Sequence, residues 1–143
     1  SPDAARQLAS RARRRVRDAG PAPDADLETQ RKVAEAFLAA ARAGDLEGLV
    51  AVLDPDVVLH ADRGAALGGW SRIRGAAAVA GQALLGSRGA ASAQRVLVNG
   101  AVGFVSRGPD GRVFAVLGLT VRGGRIVEID VLTNQERLRQ IGL

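Results

Sequence analysis

Arg112-Val-Phe-Ala-Val-Leu-Gly-Leu-Thr-Val-Arg122, Gly123-Gly124 and Arg125-Ile-Val-Glu-Ile-Asp-Val-Leu132 form one continuous run that decides the fold. Both flanks are rich in β-branched residues, which suit a pleated, half-buried surface, and the two glycines between them can take the positive φ angles of a primed turn. The run predicts a β-hairpin close to the end of the chain. Helical patterns come before it and strands gather around it, so the expected architecture is a sheet covered by earlier helices, not alternating βαβ units.

Working outward, 143 residues make one domain with enough apolar sequence to bury a core. No stretch approaches the roughly 20 apolar residues of a membrane span, and no amino-terminal apolar segment resembles a secretion signal. A cytoplasmic protein without membrane contact is expected. The chain has no cysteine and one histidine. Disulfides and thiolate chemistry are excluded, and neither a metal nor a cofactor is expected. The net charge of +5 is local: Arg6, Arg11, Arg13, Arg14, Arg15 and Arg17 face one nearby acid, Asp3, and the rest of the chain is balanced.

Ser1-Pro2-Asp3 reads as a helix start, with a capping side chain, a first-turn proline and an acid at the positive dipole end. Ala5, Leu8, Ala9, Ala12 and Val16 form a narrow apolar stripe with most of the arginines off it. So short a helix needs a partner, and the chain is expected to be part of a longer protein. Gly20, Pro21 and Pro23 mark a linker. Leu27 to Ala43 returns to helical spacing, with Val33, Phe37, Leu38 and Ala41 on one side, and Gly44 ends it. Asp45 caps a short helix, and Asp54-Pro55-Asp56 leads into a strand from Val57 to Asp62.

Arg63 to Trp70 holds so many glycines that a loop is expected, with Trp70 folding over something apolar. A helix over 75–85 follows, then strands over 93–98 and 102–107 around Asn99-Gly100, a turn at Gly108 to Gly111, the hairpin, and a last helix from Asn134 to Ile141. This order predicts an α+β cone: a curved, mostly antiparallel sheet closed by helices and preceded by an isolated amino-terminal helix.

Residues 27 to 132 thereby resemble the SnoaL-like, nuclear-transport-factor-2-like (NTF2-like) superfamily. Ser1 to Val16 is similar to the recognition helix of region 4 in extracytoplasmic-function (ECF) sigma factors. Asn134-Gln-Glu-Arg-Leu138 is similar to the Asn-Pro-Asp-Lys-Leu motif that closes members of that family carrying a SnoaL-like extension, with Gln135 in place of the proline. Asp18-Ala-Gly-Pro21 resembles their Asp-Gly-Gly-Pro linker, Asn99-Gly-Ala-Val-Gly103 their Asn-Gly-x-Pro-Gly turn, and Asp62-Arg-Gly-Ala65 an Asp-Gly-Gly-Gly run.

The resemblance implies four parts: the end of sigma region 4 (1–17), a linker (18–26), a SnoaL-like domain (27–133) and a tail motif (134–143). It implies a regulatory domain in transcription initiation, not an enzyme, with core RNA polymerase, promoter DNA and the protein's own sigma domains as partners. Asp3, Arg6, Ser10, Arg11, Arg13 and Arg14 are the candidate DNA contacts, the middle of the helix facing bases and its end facing phosphates. Asn134, Gln135, Glu136, Arg137 and Leu138 form the candidate regulatory tail.

His60, Asp62, Trp70, Glu128 and Asp130 are candidate pocket residues. Alternation puts His60 with Asp62, and Glu128 with Asp130, on one face of their strands. Should those faces look inward, His60, Asp62 and Asp130 would supply acid and base for an isomerase-type proton transfer. The absence of tyrosine removes the usual enolate donor of such isomerases. Small-molecule binding is the alternative function, and a homodimer through a convex face read as Val and Leu without charge is a third.

Overall fold

A computed structural model describes residues 26–64, 69–98 and 101–140. The expected first helix, the linker before Asp26, the Asn99-Gly100 turn and Ile141 lie outside that range. The elements are α1 (Leu27–Ala43), α2 (Leu46–Val52), β1 (Leu53–Asp62), β2 (Trp70–Arg74), α3 (Ala76–Leu85), α4 (Ser87–Ser92), β3 (Gln94–Val98), β4 (Ala101–Arg107), β5 (Val113–Arg122), β6 (Arg125–Leu132) and α5 (Gln135–Gln140).

The Gly-Gly hairpin forms as its sequence demands. Arg122 pairs with Arg125, and Gly123 and Gly124 have φ of 59° and 75°, the two positive values of a type I′ turn. The six strands run in the order β2-β1-β6-β5-β4-β3, antiparallel throughout except where β1 lies parallel to β6. The last strand is therefore central, with a neighbour on each side. This is the expected α+β fold with a mostly antiparallel sheet.

Helix ends follow the capping residues. Asp26 accepts from the Glu28 amide at 3.0 Å, Asp45 accepts from the Gly48 amide at 3.0 Å, and Gly44 closes α1 in the left-handed conformation. The buried stripe of α1 is Val33, Ala34, Phe37, Ala40 and Ala41. It packs with Val79 and Ala80 of α3 onto Leu59, Ala61, Leu119, Ile129 and Phe104, all in one core on one face of the sheet. Burying one Phe or Leu there contributes about 1.5–3 kcal/mol. Arg95 pairs with Glu35, and the Arg42 guanidinium donates to the carbonyls of Ala90 (2.8 Å) and Ala93 (3.3 Å), fastening α1 to β3 and to the end of α4.

Two expectations are corrected. Strand β2 begins at Trp70, which is 63% exposed and, among the described residues, belongs to neither apolar cluster. Trp-Ser-Arg-Ile-Arg alternates, with Trp70, Arg72 and Arg74 outward, and pairs antiparallel with β1 as an edge protected by arginines. The face away from the helices is not an uncharged Val and Leu surface. Register aligns Arg72, His60, Asp130, Gly118 and Gly103 along one row of it, and Arg74, Val58, Glu128 and Thr120 along the next. Val105, Val116 and Leu132 do lie on this face, but Leu138 of α5 packs against them.

Candidate functional site

Between the helices and the sheet lies a cavity of about 300 Å³. Its walls are mostly apolar: Phe37, Leu38, Leu59, Ala61, Phe104, Leu117, Ile129 and Val131 face it, with Phe114 and Leu85 also lining it. The polar lining residues are Arg63, Gln82, Ser106 and Thr133. Three of them lie along one row across the sheet. Ala61 pairs with Val131, Val131 with Leu117 and Leu117 with Phe104 across the sheet, and continuing that register by two residues sets Arg63, Thr133, Ala115 and Ser106 on the next inward row. The cavity is thus hydrocarbon in its body and polar at one end.

None of the expected pocket residues lines it. Leu59, Ala61, Ile129 and Val131 point in, so His60, Asp62, Glu128 and Asp130 point to the opposite face. There, His60 Nε2 lies 3.0 Å from Glu128 Oε1. Glu128 and Asp130 are buried on this face of the central strand β6, with His60 and Thr120 as cross-strand neighbours. Trp70 stands beside Asp62 at the edge of this outer face. Among the described residues no group of three His, Asp or Glu side chains has the arrangement to hold a metal ion.

Asp62 joins a different constellation. Its carboxylate accepts from Arg137 Nη1 at 2.9 Å, from Asn134 Nδ2 at 3.3 Å and from the Gly64 amide at 3.1 Å. Burial by itself would raise the Asp62 carboxyl. The hydrogen bonds from Arg137, the Gly64 amide and Asn134, with the Arg137 charge, outweigh that and hold it below the usual carboxylate value. Asn134 meanwhile caps α5, its Oδ1 accepting from the Arg137 amide at 3.2 Å. Gln135 Nε2 donates to the carbonyls of Phe114 and Thr133, Glu136 is exposed, and Leu138 is 1% exposed. Gly64 has φ of 86°, and a Cβ there would stand 3.3 Å from the Asn134 side chain. The Asp62 run and the Asn134 tail, 72 residues apart in sequence, are one docking contact.

The outward placement of the charged pairs had a signal in the sequence. On β6, Ile129 and Val131 alternate with Glu128 and Asp130, and the ordinary rule for a sheet with one covered face puts the apolar set inward. Arg63, Gln82, Ser106 and Thr133 had no such signal, since nothing local distinguishes them from surface polar residues. The candidate DNA contacts Asp3, Arg6, Ser10, Arg11, Arg13 and Arg14 lie outside the described residues. No described helix is long and apolar enough to cross a membrane.

The fold is NTF2-like. An NTF2-like protein from Burkholderia xenovorans is similar over 82% of this chain and 98% of its own, at 22% identity and a TM-score of 0.55. An epoxide hydrolase from Mycobacterium tuberculosis, of the LEH-like kind, is similar over 79% of this chain and 88% of its own, at 21% identity and a TM-score of 0.53. The ECF sigma factor SigJ from M. tuberculosis is similar over 97% of this chain, at 30% identity and a TM-score of 0.61. The chain spans about half of that sigma factor, 51% of its length. No protein-family model and no curated protein matches the sequence.

Proposed function

We propose that the chain is the carboxy-terminal part of an ECF sigma factor, in which the NTF2-like domain regulates the sigma domains to which it is tethered. The carrying observation is the extent of the likeness. The similarity to the sigma factor covers 97% of the chain, more than residues 26–140 can supply, whereas the Burkholderia protein and the epoxide hydrolase cover about four-fifths. Segment 1–17, with its off-stripe arginines, then belongs to region 4 and contacts promoter DNA in the intact protein. Core RNA polymerase and the protein's own sigma domains are the other partners, and the cytoplasm is where they meet.

Tethering supplies the physical logic. A short linker keeps the domain at high effective concentration beside the sigma domains, so weak contacts hold one arrangement and a small energetic change releases it. The Asn134 to Leu138 tail, docked on Asp62 and Gly64, is the element to be rearranged.

Small-molecule binding is the second reading, and the open apolar cavity favours it. Proton transfer within that cavity is not favoured, because among the described residues its polar lining is an arginine, an amide and two hydroxyls, without a carboxylate or imidazole.

The test is transcription by reconstituted polymerase from a cognate promoter, comparing the intact factor with versions cut before Asn134 and before Leu27. Altered output in either truncation is expected. Equal output from all three overturns the regulatory reading.

A further inference from the structure

We propose that the cavity binds a small apolar carboxylic acid, with Arg63 as the anchor for its carboxylate. The assignment stands on the cavity and not on the sigma-factor reading, so either can fail alone. It follows from the polarity of the space. Phe37, Leu59, Phe104 and Ile129 offer a hydrocarbon wall, while Arg63, Thr133 and Ser106 share the row at one end. Among the described residues, Arg63 carries the single charge of the lining and no carboxylate pairs with it.

A guanidinium beside an apolar hollow favours a partner that supplies one negative charge and a hydrocarbon body. A carboxylate takes two parallel N–H donors from arginine, and Thr133 lies on the adjacent strand end, with Ser106 two strands further along the same row. A phosphate dianion would bring a second charge with no cation to meet it, and an amine would be repelled. The volume of about 300 Å³ equals roughly ten water volumes, at about 30 Å³ each, which suits an acid of about ten non-hydrogen atoms.

The position also gives the site a route to the tail. Arg63 follows Asp62 and Thr133 precedes Asn134, the two residues that meet in the docking contact, and the Thr133 amide donates to the Asp62 carbonyl at 2.9 Å. A carboxylate drawn to Arg63 pulls on the same two strand ends that hold α5.

Titration calorimetry of the whole chain at neutral pH with octanoate, 1-octanol and octylamine tests the assignment. Octanoate is expected to bind about tenfold tighter than octanol, with octylamine weakest, a difference typical of one charge-assisted arginine contact. Arg63→Gln is expected to erase the octanoate advantage and leave octanol within about twofold. Ala83→Phe, which fills the cavity, is expected to abolish both, with circular dichroism confirming that each variant is folded. Equal binding of octanoate and octanol by the unaltered chain, an octanoate advantage that survives Arg63→Gln, binding that survives Ala83→Phe, or no binding at all would each overturn the proposal.

Discussion

The Arg137 guanidinium reaches Asp62 at 2.9 Å and ties the last helix to the end of the first strand, across 75 residues of sequence. Asp62 is buried and Arg137 about one-third exposed, so the pair is screened on one side only. Replacing Asp62 by Asn is expected to cost about 1–2 kcal/mol at neutral pH. The Asp62 carboxyl is held below its usual value in the folded chain, so its contribution is full above the unfolded value near about 4 and is lost as pH falls through the folded value. Thermal melts of the unaltered chain and Asp62→Asn should therefore differ most above about pH 4 and converge in acid. A constant difference down to pH 2 would show that the carboxylate charge is not what matters.

Asn134 has two tasks, accepting from the Arg137 amide and donating to Asp62. Asn134→Ser keeps a capping oxygen and should cost under about 1 kcal/mol. Asn134→Asp also keeps the cap but turns a carboxylate toward Asp62 at hydrogen-bond range, where like charges repel. The aspartate variant should be the less stable of the two at neutral pH and recover in acid. Chemical denaturation at both pH values measures this.

Leu138 is nearly fully buried against Val105, Val113, Val116 and Leu132. Leu138→Ala should cost about 2–4 kcal/mol. Amide hydrogen exchange should locate the loss in α5 and the facing parts of β4, β5 and β6, leaving the helix-covered core protected. Uniform loss of protection would mean that the tail is integral to the whole fold and not a detachable element.

Gly103 sits opposite Gly118 where β4 and β5 come close, and a Cβ on it would fall 2.4 Å from the Leu117 carbonyl oxygen. That neighbour is backbone and cannot rotate away. Gly103→Ala is expected to destabilise by about 1–3 kcal/mol. Gly81→Ala, where a Cβ meets nothing within 4 Å and the backbone is helical, should be neutral or stabilising by up to about 1 kcal/mol. Melting temperatures of the pair separate crowding from backbone freedom.

The parts legible in sequence were those governed by neighbours along the chain. Gly123-Gly124 between β-rich flanks specified a hairpin, Asp45 specified a helix start, Gly44 specified a stop, and the spacing of Val33, Phe37 and Ala41 named the buried side of α1. Strand β2 was missed because glycines nearby drowned five alternating residues. Its pairing with β1 gives those residues a structure that their own sequence signals only weakly.

The sequence by itself determined that this is an α+β chain with a covered sheet, because helix and strand periods and turn chemistry are local. It also determined that His60 and Asp62 share a side, as do Glu128 and Asp130, since strand alternation admits no other arrangement. Which side faced the helices was signalled only by the alternation of Ile129 and Val131 with Glu128 and Asp130, and it was fixed in the tertiary structure, through the parallel pairing of β1 with β6 and the packing of α1 and α3 on Leu59, Ala61 and Ile129. One rotation of that choice exchanges a pocket of acids and histidine for a hydrocarbon cavity with an arginine at its end. Long-range pairing alone brought Arg137 to Asp62, because a contact between segments so far apart along the chain leaves no periodic trace in either of them.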